Sequence, residues 1–418
     1  MYFQRIFFII PHRFRNVNKN IDFLPDLWYH EFKYLYNLHR RYPMSPKPQS
    51  RVPGADLLRI VTMLMILTSH FFVHGGVLGR LRPSSPYLYF YICWIIEAAC
   101  YVMVNCYALI TGYFQSRTEF KLKKLLLLWG QIVCISGGLY LILCLTGQVE
   151  FGWGAFLNAS FPITQKRYWF ATAYVILYAI SPLFNFAIRR MNRRQHALCL
   201  AVLCGVFVVF RNFSYWIDFA ALGGGYSWAS LSVLYMVGAY LRLYPPKFRL
   251  SLLWYFGLSL ITAASRIILT ILYYKYGFDS SFLKMFMQYN SVPVVAASVC
   301  LFVFFVNLDI KNRVMLWIIR FFSPAAFGVY LIHEQIEVKE LIWPVINPSQ
   351  YVKSPMLLPY LLLVIFTLFL ICALLDKIRH LLSVLLHVPQ GIGFISDKIS
   401  AFFLKTFNKL VPEEGENS

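Results

Sequence analysis

The sequence predicts an all-α, polytopic membrane protein, and three observations lead to that fold class. Of the 418 residues, 59% are apolar and only 14% are charged, whereas a soluble domain is about half apolar and about a quarter charged. The mean hydropathy is +0.59. Apolar runs recur along the chain, each near the ~20 residues that a helix needs to cross a bilayer. A chain this poor in charge cannot coat a soluble surface, and it is too hydrophobic for disorder.

Ten segments have the length and character of transmembrane helices, so we expect a bundle of about ten. Pro324 interrupts the ninth of them. Their approximate limits are 55–74, 87–112, 121–146, 169–188, 195–212, 226–243, 250–272, 291–307, 317–336 and 356–376.

The distribution of positive charge predicts the orientation of the bundle. The chain has 39 Lys and Arg against 18 Asp and Glu, a net charge of +21. Every second connection is basic, which places those connections and both termini in the cytoplasm and requires an even number of spans. We expect this charge to contact anionic membrane lipid and not nucleic acid. The basic residues are Arg117, Lys121, Lys123 and Lys124 after the second span, Arg189, Arg190, Arg193 and Arg194 after the fourth, Arg242, Lys247 and Arg249 after the sixth, and Lys311, Arg313 and Arg320 after the eighth.

The chain divides into three predicted regions. Residues 1–50 form a basic cytoplasmic extension, 51–378 the membrane domain, and 379–418 an amphipathic cytoplasmic tail. The tail should form two surface helices that break near Pro389-Gln-Gly391. The apolar run from Phe3 to Ile10 is too short to span and no small-x-small cleavage site follows it, so we expect no signal peptide.

The nine cysteines all lie in apolar stretches without C-x-x-C spacing. That pattern is typical of small packing residues and not of a disulfide framework or a zinc site.

Ionisable groups at membrane depth are costly, so each is a functional candidate. The first span combines two of them on one face: Arg59 and His70 are eleven residues apart, which is three turns plus about 20°, or about 16 Å along the helix. Asp56 is close enough in sequence to pair with Arg59. The alternative is that Asp56 and Arg59 form an interfacial salt bridge and that His70 is an interior hydrogen bonder. The candidates are Asp56, Arg59, His70, Glu97, Arg266, His333 and Glu334.

Two further residues should lie near His70 in depth. His333 falls in the outer half of the ninth span, and Glu97 lies near the midplane of the second. Two imidazoles and a carboxylate would make an acid–base set in one water-accessible cavity. Glu97 could instead be structural. The set could also bind a metal, but the sequence shows no ligand spacing, so we expect no metal site.

Four stretches together resemble the acyltransferase-3 family of integral membrane acyltransferases, over roughly residues 51–378. The first is Asp56 to His70, in which Arg59 is followed by ten residues and His70. The others are Val104-Asn-Cys-Tyr-Ala-Leu-Ile-Thr-Gly-Tyr113, Tyr168-Trp-Phe170 through Ser181-Pro-Leu183, and Phe327-Gly-Val-Tyr-Leu-Ile-His333.

The resemblance implies an enzyme and its substrates. Family members move an acyl group, usually acetyl, from cytoplasmic acyl-CoA to a hydroxyl of an extracytoplasmic carbohydrate. It therefore implies an O-acetyltransferase of a surface polysaccharide in a bacterial cell membrane, with acetyl-CoA as donor substrate and no permanently bound cofactor. It also implies that His70 is the catalytic histidine and Arg59 its essential companion.

One stretch departs from the family pattern. Many members carry an Arg-x-x-Arg pair after the second span, where this chain has Lys121-Leu-Lys123-Lys124. The positive charge is kept, but the bidentate phosphate geometry of arginine is lost. By resemblance, Lys121, Lys123 and Lys124 bind the acyl-CoA phosphates; alternatively, they only set the topology.

Two other function classes remain open. Buried charges could form the path of a transporter or flippase of a polysaccharide precursor. The sequence has no internal repeat and no sign of paired broken helices, which argues against that class. A membrane sensor or partner-binding module is the third possibility, and only the N-terminal extension favours it.

Overall fold

The computed structural model describes residues 51–84, 87–213 and 222–410, and over these residues the chain is α-helical without a strand. The prediction of an all-α helix bundle is therefore confirmed. Ser50–Ser400 forms one compact unit. The predicted N-terminal extension, residues 1–50, and the last eight residues lie outside the described part of the chain.

Seventeen helices, numbered α1 to α17, lie within the described residues and are joined by short 3-10 turns and one π turn. They are α1 Pro53–Val73, α2 Val77–Arg80, α3 Tyr87–Cys100, α4 Met103–Gln115, α5 Leu122–Leu145, α6 Trp153–Ser160, α7 Trp169–Arg190, α8 Arg193–Cys204, α9 Arg211–Phe213, α10 Trp228–Leu243, α11 Ser251–Tyr276, α12 Val292–Val306, α13 Arg313–Phe322, α14 Ala326–His333, α15 Ile336–Ile346, α16 Leu357–Leu385 and α17 Val388–Leu410.

Eight helical segments of the described chain are long and apolar enough to cross a membrane. They coincide with eight of the ten predicted spans. The sixth and eighth predicted spans correspond to α10 and α12, which have 16 and 15 residues. At ~1.5 Å per residue these helices reach about 24 and 22 Å, less than the ~30 Å hydrocarbon core. The structure thus supports eight long spans and two shorter helices, and the cytoplasmic position of both termini stays a prediction.

Two of the spans are discontinuous. The second is broken at Tyr101–Val102, between α3 and α4, and the ninth is broken by the 3-10 turn Ser323–Ala325. Pro324 explains the ninth, because proline cannot donate the hydrogen bond that continues a helix. The second break has no proline or glycine; there Tyr101 leaves the helix and stacks on Tyr289, with ring centroids 4.8 Å apart. The second and ninth spans do not occupy corresponding positions in the two halves of a ten-span bundle, so these breaks are not the paired broken helices of a repeat transporter.

The C-terminal tail has the predicted break close to Pro389. Helix α16 continues to Leu385, and α17 follows it. The chain turns at His387, whose φ is 55°, two residues before Pro389. Pro389 is the second residue of α17, where a proline is tolerated because first-turn N–H groups have no partner in the helix.

Helices α4 and α10 approach each other closely because each presents a glycine to the other's backbone. A Cβ on Gly112 would lie 1.9 Å from the carbonyl oxygen of Tyr235, and one on Gly238 would lie 2.2 Å from that of Leu109. Side chains cannot relieve contacts with backbone atoms, so these two glycines set the distance between the helices.

We predict that Gly112→Ala lowers the stability of the folded protein by about 1–3 kcal/mol, because overpacking forces the two helices apart. Gly257→Ala is the matched control: Gly257 also lies inside a helix, but a Cβ there meets no atom within 4 Å, and alanine favours the helix by about 1 kcal/mol. Thermal unfolding in detergent, followed by size-exclusion fluorescence, compares the two. Equal midpoints for Gly112→Ala and wild type would contradict this account.

Candidate active site

His70 of α1 and His333 of α14 form a hydrogen bond, with His70 Nδ1 2.9 Å from His333 Nε2. The two residues are 263 positions apart in the chain. His333 is fully buried, whereas the His70 side chain is 17% exposed. The expected juxtaposition of the two histidines is confirmed, and their catalytic roles stay a prediction.

A chain of hydrogen bonds sets the tautomer of His70. His333 Nδ1 lies 2.6 Å from the carbonyl oxygen of Val329. A carbonyl oxygen can only accept, so the neutral His333 ring carries its proton on Nδ1 and accepts at Nε2. His70 Nδ1 must then donate to His333, which leaves the lone pair of His70 on Nε2. An imidazole with a free Nε2 can accept a proton from a substrate.

Glu334 and His74 complete a polar cluster around His70. Glu334 Oε1 lies 3.3 Å from His70 Nδ1 and 3.0 Å from His74 Nε2, and Glu334 Oε2 lies 3.7 Å from Lys339 Nζ. From the sequence, Glu334 was a candidate as an ionisable group at membrane depth, but without a role, and His74 was not a candidate. The spacing could have identified His74, because a residue four positions after His70 lies on the same helix face.

A narrow cavity adjoins His70. Its volume is about 20 Å³, which is enough for one water molecule. Aromatic rings form most of its wall, so a thioester or a sugar can enter only when these side chains move. The lining residues are Ile66, His70, Met103, Val104, Tyr107, Trp169, Phe170, Tyr289 and Tyr330.

Glu97 does not join the two histidines. It is 2% exposed, its Oε1 accepts a hydrogen bond of 2.7 Å from Ser69, and it is not among the described residues that line the His70 cavity. Successive residues of a helix diverge by about 100°, so Glu97 faces a different side of α1 from His70. The geometry matches the structural alternative for this residue.

Arg59 lies at the other end of α1 from His70. It forms an ion pair with Asp56, and its guanidinium lies 5.5 Å from the ring centroid of Phe114. Helix α1 is unbroken from Pro53 to Val73, so the two residues are about 16 Å apart along the axis. Tyr107 connects the two regions, since it lines the His70 cavity and donates a 2.8 Å hydrogen bond to the carbonyl of Arg59.

The three lysines lie toward the Arg59 end. Helix α4 runs from Met103, in the wall of the cavity, to Phe114 beside Arg59 and ends at Gln115. Lys121 then precedes α5 as its N-cap, and Lys123 and Lys124 follow in the first turn. All three are exposed. The lysines therefore follow the end of α4 that lies beside Arg59, and not the end that lines the His70 cavity.

Comparisons with known proteins identify the family of the chain. The acyltransferase-domain family matches residues 52–376 of the 418. No curated protein and no solved structure matches the chain. The matched region contains the Arg59–His70 helix, the lysines and His333. The chain therefore belongs to the acyltransferase-3 family of membrane acyltransferases.

Proposed function

We propose that this membrane acyltransferase moves an acyl group, such as acetyl, from cytoplasmic acyl-CoA to a hydroxyl of an extracytoplasmic carbohydrate. The observation that carries the proposal is the hydrogen-bond chain from His70 through His333 to the Val329 carbonyl. It leaves His70 Nε2 unprotonated in a family whose members transfer acyl groups.

The proposed reaction begins with proton transfer to His70. A sugar hydroxyl has a pKa far above 7, so it attacks a thioester slowly unless a base takes its proton. As the new C–O bond forms, His70 Nε2 accepts that proton. The C–S bond then breaks, and the leaving thiolate of CoA takes the proton from the His70 imidazolium, which restores the neutral base. Glu334, 3.3 Å from His70 Nδ1, stabilises the imidazolium that exists between these two steps.

Tyr330 is the proposed donor to the negatively charged oxygen of the tetrahedral intermediate. Its side chain lines the His70 cavity. Its buried hydroxyl has no hydrogen-bond acceptor among the described residues, so its proton is available to a substrate. Arg59 is too distant for this role, because about 16 Å of helix separates it from His70.

The positive charges of Arg59 and the three lysines suit the phosphate end of the acyl-CoA donor. CoA carries its thioester at the end of a long, flexible pantetheine arm, while its phosphates form the opposite end. We place the phosphates near Arg59, Lys121, Lys123 and Lys124 and the thioester near His70. Asp56 orients the Arg59 guanidinium through their ion pair.

A second function, export of a polysaccharide precursor, is favoured by the broken second and ninth spans, since transporters often place their substrate sites at discontinuous helices. The two functions predict different phenotypes. Loss of His70 should remove acyl groups from the polysaccharide in the first case and surface polysaccharide itself in the second.

We predict that His70→Ala lowers acyl transfer by about 10²–10⁴-fold, the usual contribution of a general base. O-acetyl content of the surface polysaccharide, measured by NMR and normalised to protein abundance in the membrane, tests this. His380→Ala, which removes an exposed histidine within α16, should leave acetylation unchanged. Wild-type acetylation by His70→Ala would refute the role of His70 as base.

We predict that Tyr330→Phe lowers kcat by about 10²–10³-fold, as loss of one oxyanion donor does, while KM for the acceptor changes little. Tyr255→Phe removes a buried hydroxyl that bonds to the Ala99 carbonyl outside the cavity, and it serves as the control. Initial rates with purified protein give both constants. A change confined to KM would instead assign Tyr330 to acceptor binding.

We predict that changing Lys121, Lys123 and Lys124 together to Gln raises KM for acyl-CoA several-fold more than KM for the acceptor, because three cations near the phosphates are lost. Lys247 and Arg249, exposed cations of another basic connection, provide the control when both are changed to Gln. An unaltered KM for acyl-CoA would mean that the lysines only set the topology of the protein in the membrane.

A further inference from the structure

We propose that His70, His74 and Glu334 form a binding site for a divalent transition-metal ion of the zinc class, and that the bound ion inhibits the enzyme. The sequence alone predicted no metal site. The inhibitory part of this proposal rests on the proposed function, whereas ion binding does not.

Two separations between donor atoms match those around a single tetrahedral ion. Ligand atoms bound at ~2.0–2.1 Å to a tetrahedral ion lie about 3.3–3.4 Å from each other. Glu334 Oε1 is 3.3 Å from His70 Nδ1 and 3.0 Å from His74 Nε2. The donor atoms of His70, His74 and Glu334 all lie within 4.8 Å of one another.

Glu334 lacks the hydrogen bonds that its burial requires. Its Oε1 is buried and accepts none of acceptable geometry from the described residues, although two imidazole nitrogens lie within 3.3 Å. A buried carboxylate oxygen without such a bond is costly. An ion between the oxygen and the nitrogens would satisfy all three groups.

Helix α1 brings the two imidazole ligands together. His74 lies four residues after His70 on the same helical face, and Glu334 lies within 3.3 Å of a ring nitrogen of each. His333 stays outside the ligand set, because its Nδ1 bonds to the Val329 carbonyl and its Nε2 to His70. When His70 Nδ1 binds an ion, only the bond between His70 and His333 is lost.

The ligand set selects the class of ion. Two imidazoles and one carboxylate, with a water molecule as fourth ligand, suit zinc and related transition metals, whereas magnesium and calcium prefer oxygen ligands. The site is accessible, because the His74 side chain is 29% exposed and that of Glu334 is 13% exposed. Lys339, 3.7 Å from Glu334 and 28% exposed, opposes cation binding but can turn into solvent.

Ion binding would remove the base by changing its tautomer. In the structure, His70 carries its proton on Nδ1 and its lone pair on Nε2. When Nδ1 gives its lone pair to the ion, the proton of the neutral ring must reside on Nε2. The acceptor hydroxyl then meets an N–H donor instead of a base, and Glu334 is engaged by the ion.

Metal binding is measured first, without reference to activity. The full-length protein, purified in detergent without a histidine tag and stripped with EDTA, is titrated with Zn²⁺, and bound metal is counted by mass spectrometry after gel filtration. We expect one ion per chain. Replacement by Co²⁺ should give the intense visible absorption of a tetrahedral site.

Three variants locate the ion. His74→Gln should weaken binding at least tenfold, while His380→Gln, which alters an exposed histidine on α16, should bind as wild type does. Lys339→Gln should bind several-fold more tightly because an opposing charge is lost. This gain in affinity tests the site even if His74→Gln proves unstable. Absence of bound zinc in wild type and Lys339→Gln, or unchanged binding by both His74→Gln and Lys339→Gln, would overturn the proposal.

Inhibition is then tested by assaying each variant against its own zinc-free rate. Zn²⁺ should inhibit wild type reversibly, EDTA should restore the rate, and His74→Gln should need at least tenfold more zinc. Full activity with the site occupied would overturn the inhibitory part. If the protein binds zinc at these residues but transfers no acyl group, the metal site stands and the proposed function fails.

Discussion

The candidate site depends on the hydrogen bond from His333 Nδ1 to the carbonyl of Val329. At membrane depth a polar group must find its partner within the protein, because hydrocarbon offers none. That bond directs His333 Nε2 at His70, and the resulting contact joins α1 to α14. The same contact determines which ring nitrogen of His70 is available for chemistry. One backbone carbonyl therefore controls helix packing, tautomer and reactivity together.

The second constraint is the unbroken length of α1, Pro53–Val73. A straight helix holds Arg59 and His70 about 16 Å apart on one face, so a single catalytic centre cannot include both. The spacing suits a donor substrate with its charge at one end and its reactive bond at the other. The neighbouring spans are less regular: the breaks at Tyr101–Val102 and Ser323–Ala325 release Tyr101 from α3 and start the short helix that ends at His333.

Base catalysis and metal binding compete for one ring in this arrangement. His70 can act as a base only while Nδ1 carries the proton, and it can bind an ion through Nδ1 only when Nε2 carries it. Glu334 serves either state, since its charge stabilises an imidazolium as well as a cation. Because the His74 side chain is 29% exposed, the cluster opens to the surface of the protein.

The sequence by itself determined the all-α membrane class, the positions of the long helices and the shared face of Arg59 and His70, because hydropathy and helical period are local properties. It also placed His333 at the depth of His70. The depth of a residue along its helix specifies neither how the helix is rotated nor which helices are its neighbours. For that reason Glu97 was expected beside the two histidines, which it does not contact. Only the tertiary structure decided that Glu97 contacts Ser69, that Tyr330 reaches the cavity, and that His74 and Glu334 surround His70. Those contacts depend on the packing angles of separate helices, which no single segment encodes.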